Sequence, residues 1–317
     1  MRFRHARRAD LSTLLALLGP GYQPSNRVRE RQVDIWQTML ADGSMRMTLV
    51  EDPALPESDA VQMIGASVFL RDHFFENYIS QPQQGLPELL YEEILAGNSP
   101  VLSADEIRRA NSHEGLHLLM AHFALRNPDF SDPKTQELMF AVNSAFFFFY
   151  GGYRLKTAMQ EVYGRQAAEY MKAGGFRIAD HFDAPLGSKD EPSPDVHRYL
   201  LLLRREEIQP SAVNPLSFLF YPMQPRIHFS GSEQKVLELA LLNQSDAEIA
   251  SDIGVSLDAV KKTWRRAFER VSRTSPHLLA GDEASATLGA RGVEKRRHLL
   301  DYLRIHLEEL RPHDASP

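Results

Sequence analysis

Two patterns of apolar spacing divide the chain. Up to about residue 208, short apolar runs alternate with helical stretches, whereas from Ser230 onward only helical spacing recurs. Runs at 2–6, 46–51, 62–70, 116–125, 153–163, 176–182 and 196–204 predict strands. The 116–125 run suits a central strand, although its length would also admit a helix. Helices are predicted from Asp10 through Leu18, over 86–96, over 103–110, from Pro133 to about Phe149, and over 165–173. Asp10 is placed as an N-cap, Ser103 and Glu106 as a capping box, and Pro133 at a first helical position, where no hydrogen bond is lost. Gly151-Gly152 and Gly174-Gly175 end the helices before them.

The fold expected is an α+β N-terminal domain, a mixed sheet flanked by helices over 1–208, followed by an all-α helix-turn-helix domain over 229–275. Four prolines between Gln209 and Pro225 mark a linker over 209–228. An extension over 276–317 holds a Gly/Ala-rich loop at 280–292 and a basic helix at about 293–310.

In the second domain, Val236, Leu237, Ala240 and Leu241 give a first helix one apolar face. Ser245 with Glu248 caps a second helix, with Ile249, Ala250 and Ile253 inward. Gly254 supplies the left-handed turn after it, and Val255 is expected to plug the corner. Ser256 caps a third helix with Val260 and Phe268 inward and its basic side chains outward.

Charge then changes the picture. The 317-residue chain has a formal net charge of −6, yet Lys261, Lys262, Arg265, Arg266, Arg270 and Arg273 gather within 257–273, and Arg291, Lys295, Arg296, Arg297 and Arg304 within 291–304. Such a local excess suits an exposed helix entering a major groove. The absence of cysteine excludes disulfides, thiolate metal sites and cysteine nucleophiles. The N-terminal stretch has basic residues before an apolar run but no small-residue cleavage site, and Gly19-Pro20-Gly21 follows at once; a cytoplasmic location is expected. The aromatic run Phe146–Tyr150 is far short of a membrane span.

Residues 229–273 are similar to the helix-turn-helix of the LuxR family. Its Glu-x-x-Val-Leu appears as Glu233 to Leu237, its Ser-x-x-Glu-Ile-Ala as Ser245 to Ala250, and its Ile-Ser-x-x-Thr-Val-Lys as Val255 to Lys261. Departures fall at Asn243, Ala259 and Thr263. The resemblance implies transcription regulation, with double-stranded DNA as partner and Ser256, Lys261, Lys262, Arg265, Arg266 and Arg270 as its contacts.

Residues 1 to about 208 resemble the GNAT acetyltransferase fold, most clearly in Phe3 to Leu11 and in Ala167 to Phe176. That resemblance places a pyrophosphate-binding turn at Arg126 to Pro133. The segment has no glycine, two prolines without N–H groups and two carboxylates. The family's frequent catalytic tyrosine falls on Met171 and its asparagine on Gly164, and Tyr170 points elsewhere on the helix. The expectation is therefore a domain without catalysis or cofactor, sensing a small-molecule effector or making a homodimer. The stripe Phe146-Phe147-Phe148-Phe149-Tyr150-Tyr153 reads as core, or else as a dimer surface or apolar pocket.

Two enzymatic alternatives stand beside this reading. One is an N-acetyltransferase fused to a DNA-binding domain. The other uses His113-Glu114-Gly115-Leu116-His117, which matches His-Glu-x-x-His and resembles a gluzincin metalloprotease; on a helix both histidines and Glu137 would hold zinc with Glu114 as base. Gly115 and the strand pattern from His117 oppose that helix.

Overall fold

The computed structural model describes residues 1–18, 22–182, 197–208, 215–221, 223–279 and 288–314. Gly19-Pro20-Gly21, most of the 280–292 loop and much of the 209–228 linker lie outside the described residues. The chain forms two units, one of 1–149 and 154–220, the other of 150–153 and 221–317. The division at Phe220/Tyr221 falls inside the segment read as linker.

The N-terminal unit is built on strands β1 (Arg2–His5), β2 (Met45–Glu51), β3 (Val61–Leu70), β4 (Leu116–Leu125), β5 (Leu155–Tyr163), β6 (Arg177–Phe182) and β7 (Arg198–Arg204). They form one sheet in the order β1-β2-β3-β4-β5-β7-β6. Every neighbouring pair is antiparallel except β4–β5, which is parallel and joined by a helical crossover. The mixed, helix-flanked, GNAT-like sheet and the all-α region behind it are the architecture expected from the sequence.

Helices α1 (Leu11–Leu17), α2 (Asn26–Asp42), α3 (Glu57–Ala60), α4 (Asp72–Ser80), α5 (Leu86–Leu95), α6 (Ala104–Ser112), α7 (Pro133–Tyr150) and α8 (Arg165–Ala173) complete the unit. The largest core cluster joins Leu14, Val28, Ile35 and Trp36 of α1 and α2, Phe75 of α4 and Leu90 and Tyr91 of α5 to Leu49, Ile64, Leu119 and Met159 of the sheet. Burying each such side chain contributes roughly 1.5–3 kcal/mol. A second cluster packs Leu138, Met139 and Val142 of α7 on Val50 and Met63.

One expectation in this unit changes, and one open reading is resolved. Asp10 does not cap α1: its carboxylate accepts from the Arg7 N–H (2.6 Å) and from Arg4, which also holds Glu51. The Phe146–Phe149 stripe is core, with Phe149 fully buried and Phe3 and Phe148 packed edge-on and tilted around it. The apolar residue left on the surface of α7 is Phe140, 76% exposed.

The C-terminal unit contains α9 (Gly231–Leu241), α10 (Asp246–Ile253), α11 (Leu257–Thr274) and α12 (Leu288–Ile305). Ser230 and Ser245 form capping boxes with Glu233 and Glu248, and the Ser256 hydroxyl accepts from the Ala259 N–H. Gly254, at φ 69°, closes α10 as expected. Val255 is 43% exposed and plugs nothing; Trp264, buried, fills the interior instead. The trihelical part is tied to the chain terminus by Glu309, fully buried, which accepts from the Ile227 N–H and the Tyr302 hydroxyl.

Candidate functional site

The strongest structural irregularity lies in the centre of the sheet. β4 pairs with β3 from His117 to Leu125, but Ala66 faces His122 while the next residue, Ser67, faces Met120. Ala121 is thus the extra residue of a β-bulge, a device that bends and twists a strand. The parallel pairing of β4 with β5 runs from Leu116↔Leu155 to Met120↔Gln160 and ends at that bulge. Beyond it β4 stays on β3 and β5 stays on β7 as far as Tyr163. The β4–β5 pairing is thus not continued over Ala121–Leu125 and Glu161–Tyr163. The carboxyl ends of parallel strands are the default ligand position in open α/β sheets.

A buried polar cluster from α2, α5, β4, β5 and β7 includes His122 and Glu161, the residues just beyond the bulge and the end of the β4–β5 pairing. Trp36 Nε1 donates to the Tyr91 hydroxyl (2.9 Å), which shares a 2.8 Å hydrogen bond with His122 Nε2. Tyr22 packs edge-on to His122 and donates to Gln32 Oε1 (2.6 Å). Burial lowers His122 to a pKa of about 3, so the ring is neutral at pH 7. Gln32 is fully buried, and its Nε2, near the Tyr91 hydroxyl, makes no hydrogen bond within 3.5 Å.

Charge enters from the other strand. Glu161, its side chain 1% exposed, accepts from the Gly85 and Leu86 N–H groups at the start of α5 and from Arg198 Nη1 (2.9 Å). A carboxylate at a helix N-terminus is favoured by the helix dipole. Arg198 also lies 3.5 Å from Glu88 Oε1 and over the Tyr163 ring. Glu88 Oε2 is buried and makes no hydrogen bond within 3.5 Å, although the carboxyl lies near its own backbone N–H. Burial raises the Glu88 carboxyl above the usual carboxylate range, with the neighbouring Glu161 charge adding to the shift and Arg198 opposing it. Glu88 and Glu161 thus share one guanidinium, and of the two Glu88 is the one whose proton affinity burial raises. Burial and Glu88 keep the Tyr163 hydroxyl protonated.

None of these residues was a candidate in the sequence. The positions that were candidates lie elsewhere. Met171 is half-buried on α8, and Gly164 precedes that helix at φ 82°. Tyr170 accepts from Asn143 Nδ2 (3.1 Å) and stacks on Phe130. The zinc reading fails on backbone geometry. α6 ends at Ser112, Gly115 sits at φ +94° where a Cβ would lie 2.8 Å from the Arg154 carbonyl, and His117 starts a strand. His117 Nδ1 is bonded to Thr157 and its ring stacks on Phe75 at 3.9 Å. Among the described residues no group of three metal-ligating side chains converges.

In the C-terminal unit Lys261, Lys262, Arg265 and Arg266 are exposed on α11. Lys261 and Arg265 border an open groove of about 760 Å³ with Trp264, Phe268, Arg273 and Lys295. Ser256 is occupied as a cap. Arg270 turns inward, its Nε 3.0 Å from Glu233, a carboxylate whose side chain is 3% exposed. Arg296 lies over the Trp264 ring and pairs with Asp246.

No family model matches the chain, and no curated protein does. Among solved structures it is similar to the spermidine/spermine N-acetyltransferase SpeG of Vibrio cholerae in complex with manganese ions, at 11% identity over 64% of this chain and 91% of that one (TM-score 0.35). It is also similar to Arabidopsis thaliana NAA60 in complex with acetyl-CoA, at 12% identity over 64% of this chain and 97% of that one (TM-score 0.36), and with a bisubstrate analogue, at 13% identity over 64% and 96% (TM-score 0.38). No family model, no curated protein and none of the solved structures named above supports the expectation of a non-catalytic regulator of transcription with double-stranded DNA as partner, an effector and a homodimer, and that expectation is withdrawn. The inward turn of Arg270 removes one of the expected contacts on independent grounds. No helix among the described residues is long and apolar enough to cross a membrane.

Proposed function

We propose that the N-terminal unit is an acyltransferase that moves an acyl group from a pantetheine thioester, the chemical class of acetyl-coenzyme A, to a primary amine. The observation that carries this reading is the end of the β4–β5 pairing at the Ala121 bulge, together with the buried Glu88 carboxyl, whose proton affinity burial raises. Beyond the bulge, the edges of β4 and β5 that no longer pair with each other offer backbone N–H and C=O groups to an extended amide-containing chain, as one strand offers them to another. The unpartnered Gln32 Nε2 and Glu88 Oε2 fit a ligand that supplies an acceptor and a donor.

A bound thioester supplies an activated carbonyl carbon and a thiolate leaving group. With Glu88 ionised, the cluster of Glu88, Glu161 and Arg198 attracts an ammonium ion. Glu88 Oε2 then takes the proton that the amine must lose before its nitrogen becomes a nucleophile. Glu161 and Arg198 hold Glu88 in place and set its proton affinity. The Trp36–Tyr91–His122 chain forms a dry, rigid wall on the β4 side.

Calorimetric titration of the full chain with acetyl-coenzyme A and with coenzyme A tests the reading. Saturable binding of both to the wild-type chain is the expected result. Absence of binding to the wild-type chain contradicts it.

A further inference from the structure

The site at the carboxyl ends of β4 and β5 is closed in an unusual way. β4 leads through 126–132 into α7, and β5 leads into α8, so this loop and the two helix starts frame the outlet. A helix start of this kind normally offers free N–H groups to a phosphate. Here the Asp129 N–H donates to Asn127 Oδ1, the Ser131 N–H to Asp129 Oδ1 (2.9 Å) and the Lys134 N–H to Asp132 Oδ1 (2.9 Å). The Asp132 N–H donates to the Asp129 carbonyl and the Arg126 N–H to the Gln62 carbonyl. Pro128 and Pro133 have no N–H to give. Two of the loop's N–H groups, those of Ser131 and Lys134, are thus taken up by its own carboxylates.

Two further contacts cross the outlet. Phe130 of the loop stacks on Tyr170 of α8 at 5.5 Å between centroids, and the Tyr170 hydroxyl accepts from Asn143 of α7. Loop and both helices are therefore tied together where a diphosphate would leave the site. Hydrogen bonds from Ser131 hold the Asp129 carboxyl below its ordinary range, so it stays charged and repels phosphate at every physiological pH.

Resting on the acyltransferase reading above, we infer that this site recognises its donor by the acyl-pantetheine arm alone and gains nothing from the nucleotide end of coenzyme A. The substrate class is an acyl-pantetheine thioester, whether free, as coenzyme A or on a carrier.

The test is calorimetric binding of pantetheine, coenzyme A and adenosine 3′,5′-bisphosphate to the full chain, followed by kcat/KM with acetyl-pantetheine, acetyl-coenzyme A and an acetylated phosphopantetheinyl carrier protein. Pantetheine and coenzyme A are expected to bind within about threefold of each other, and the bisphosphate not at all. A clear gain in kcat/KM with the carrier protein identifies the protein-borne arm as the source; equal values identify the free thioester. Asp129→Asn, which removes the charge and keeps the shape, should raise coenzyme A affinity several-fold and leave pantetheine unchanged. A tenfold or greater wild-type preference for coenzyme A overturns the inference while leaving the acyltransferase reading intact. Failure of both thiols to bind overturns the acyltransferase reading and this inference with it.

Discussion

Glu88 and Arg198 meet at 3.5 Å through one carboxylate oxygen only, while the other oxygen of Glu88 is buried and makes no hydrogen bond. A bidentate Arg–carboxylate pair would stabilise both charges and fix the proton affinity low. The one-sided contact leaves burial as the dominant influence on Glu88 and its proton affinity high. Glu161, by contrast, has two helix N–H groups and Arg198 to satisfy it. Two carboxylates on neighbouring elements are thereby assigned different tasks, one structural and one proton-accepting.

Glu88→Gln should therefore lower the rate of amine acylation about a hundredfold or more, with little change in donor affinity. Activity of the wild type should rise with pH as Glu88 loses its proton, through a range above that of an ordinary carboxyl. The variant should lose that limb. A pH–rate profile of both proteins, with helicity unchanged, makes the comparison; an identical limb in the variant assigns the base to another group.

His122 makes a prediction about stability. Its folded-state pKa of about 3 lies below that of a free histidine, so between the two values the unfolded chain binds the extra proton and stability falls as pH falls. From pH 6.5 to pH 4.5 this group alone should cost roughly 2–3 kcal/mol. Urea unfolding of the wild type and His122→Gln at both pH values should show the smaller loss in the variant. Equal losses would mean that His122 titrates normally.

Gly115 and Arg270 test the corrected parts of the sequence reading. Gly115→Ala should destabilise the chain by about 2 kcal/mol or more, because the new Cβ meets the Arg154 carbonyl at a left-handed backbone position. A helix through 113–117 would instead gain stability from the same change.

Arg270→Ala should destabilise by roughly 1–3 kcal/mol, since it removes the charged donor from the buried Glu233 carboxylate and leaves it only the hydrogen bonds from Ser230. Lys262→Ala, at an exposed position on the same helix, should be nearly neutral. Thermal unfolding that ranks the two in the opposite order contradicts the inward placement of Arg270.

Much of this was legible in the chain. Serine caps at Ser103, Ser245 and Ser256 and the strand runs gave element positions, because caps and apolar spacing are local properties. α2 was passed over: Arg27, Arg29, Glu30 and Arg31 dilute an apolar stripe of Val28, Ile35, Trp36 and Met39 that the periodicity nevertheless contains. With it went Gln32 and Trp36 of the site. Glu88 looks like any solvated helical glutamate until Arg198, 110 residues away, is folded onto it. The bulge at Ala121 is a property of strand register, which no single run of residues displays. Met171 marks the position on α8 where the resemblance implies a catalytic group, whereas the carboxyl with the raised proton affinity is on α5.

The most direct test of the central claim is thiol release. The chain has no cysteine, so a thiol-reactive dye reports only the thiol freed from the donor. Acetyl-coenzyme A or acetyl-pantetheine is mixed with the full chain and a panel of primary amines, and dye reaction is followed beside mass spectrometry of the amine. The account predicts amine-dependent thiol release in the wild type with one acetylated amine per thiol, at least a hundredfold slower in Glu88→Gln. A folded wild-type chain that releases no thiol with any amine, or releases it at the same rate in both proteins, contradicts the account.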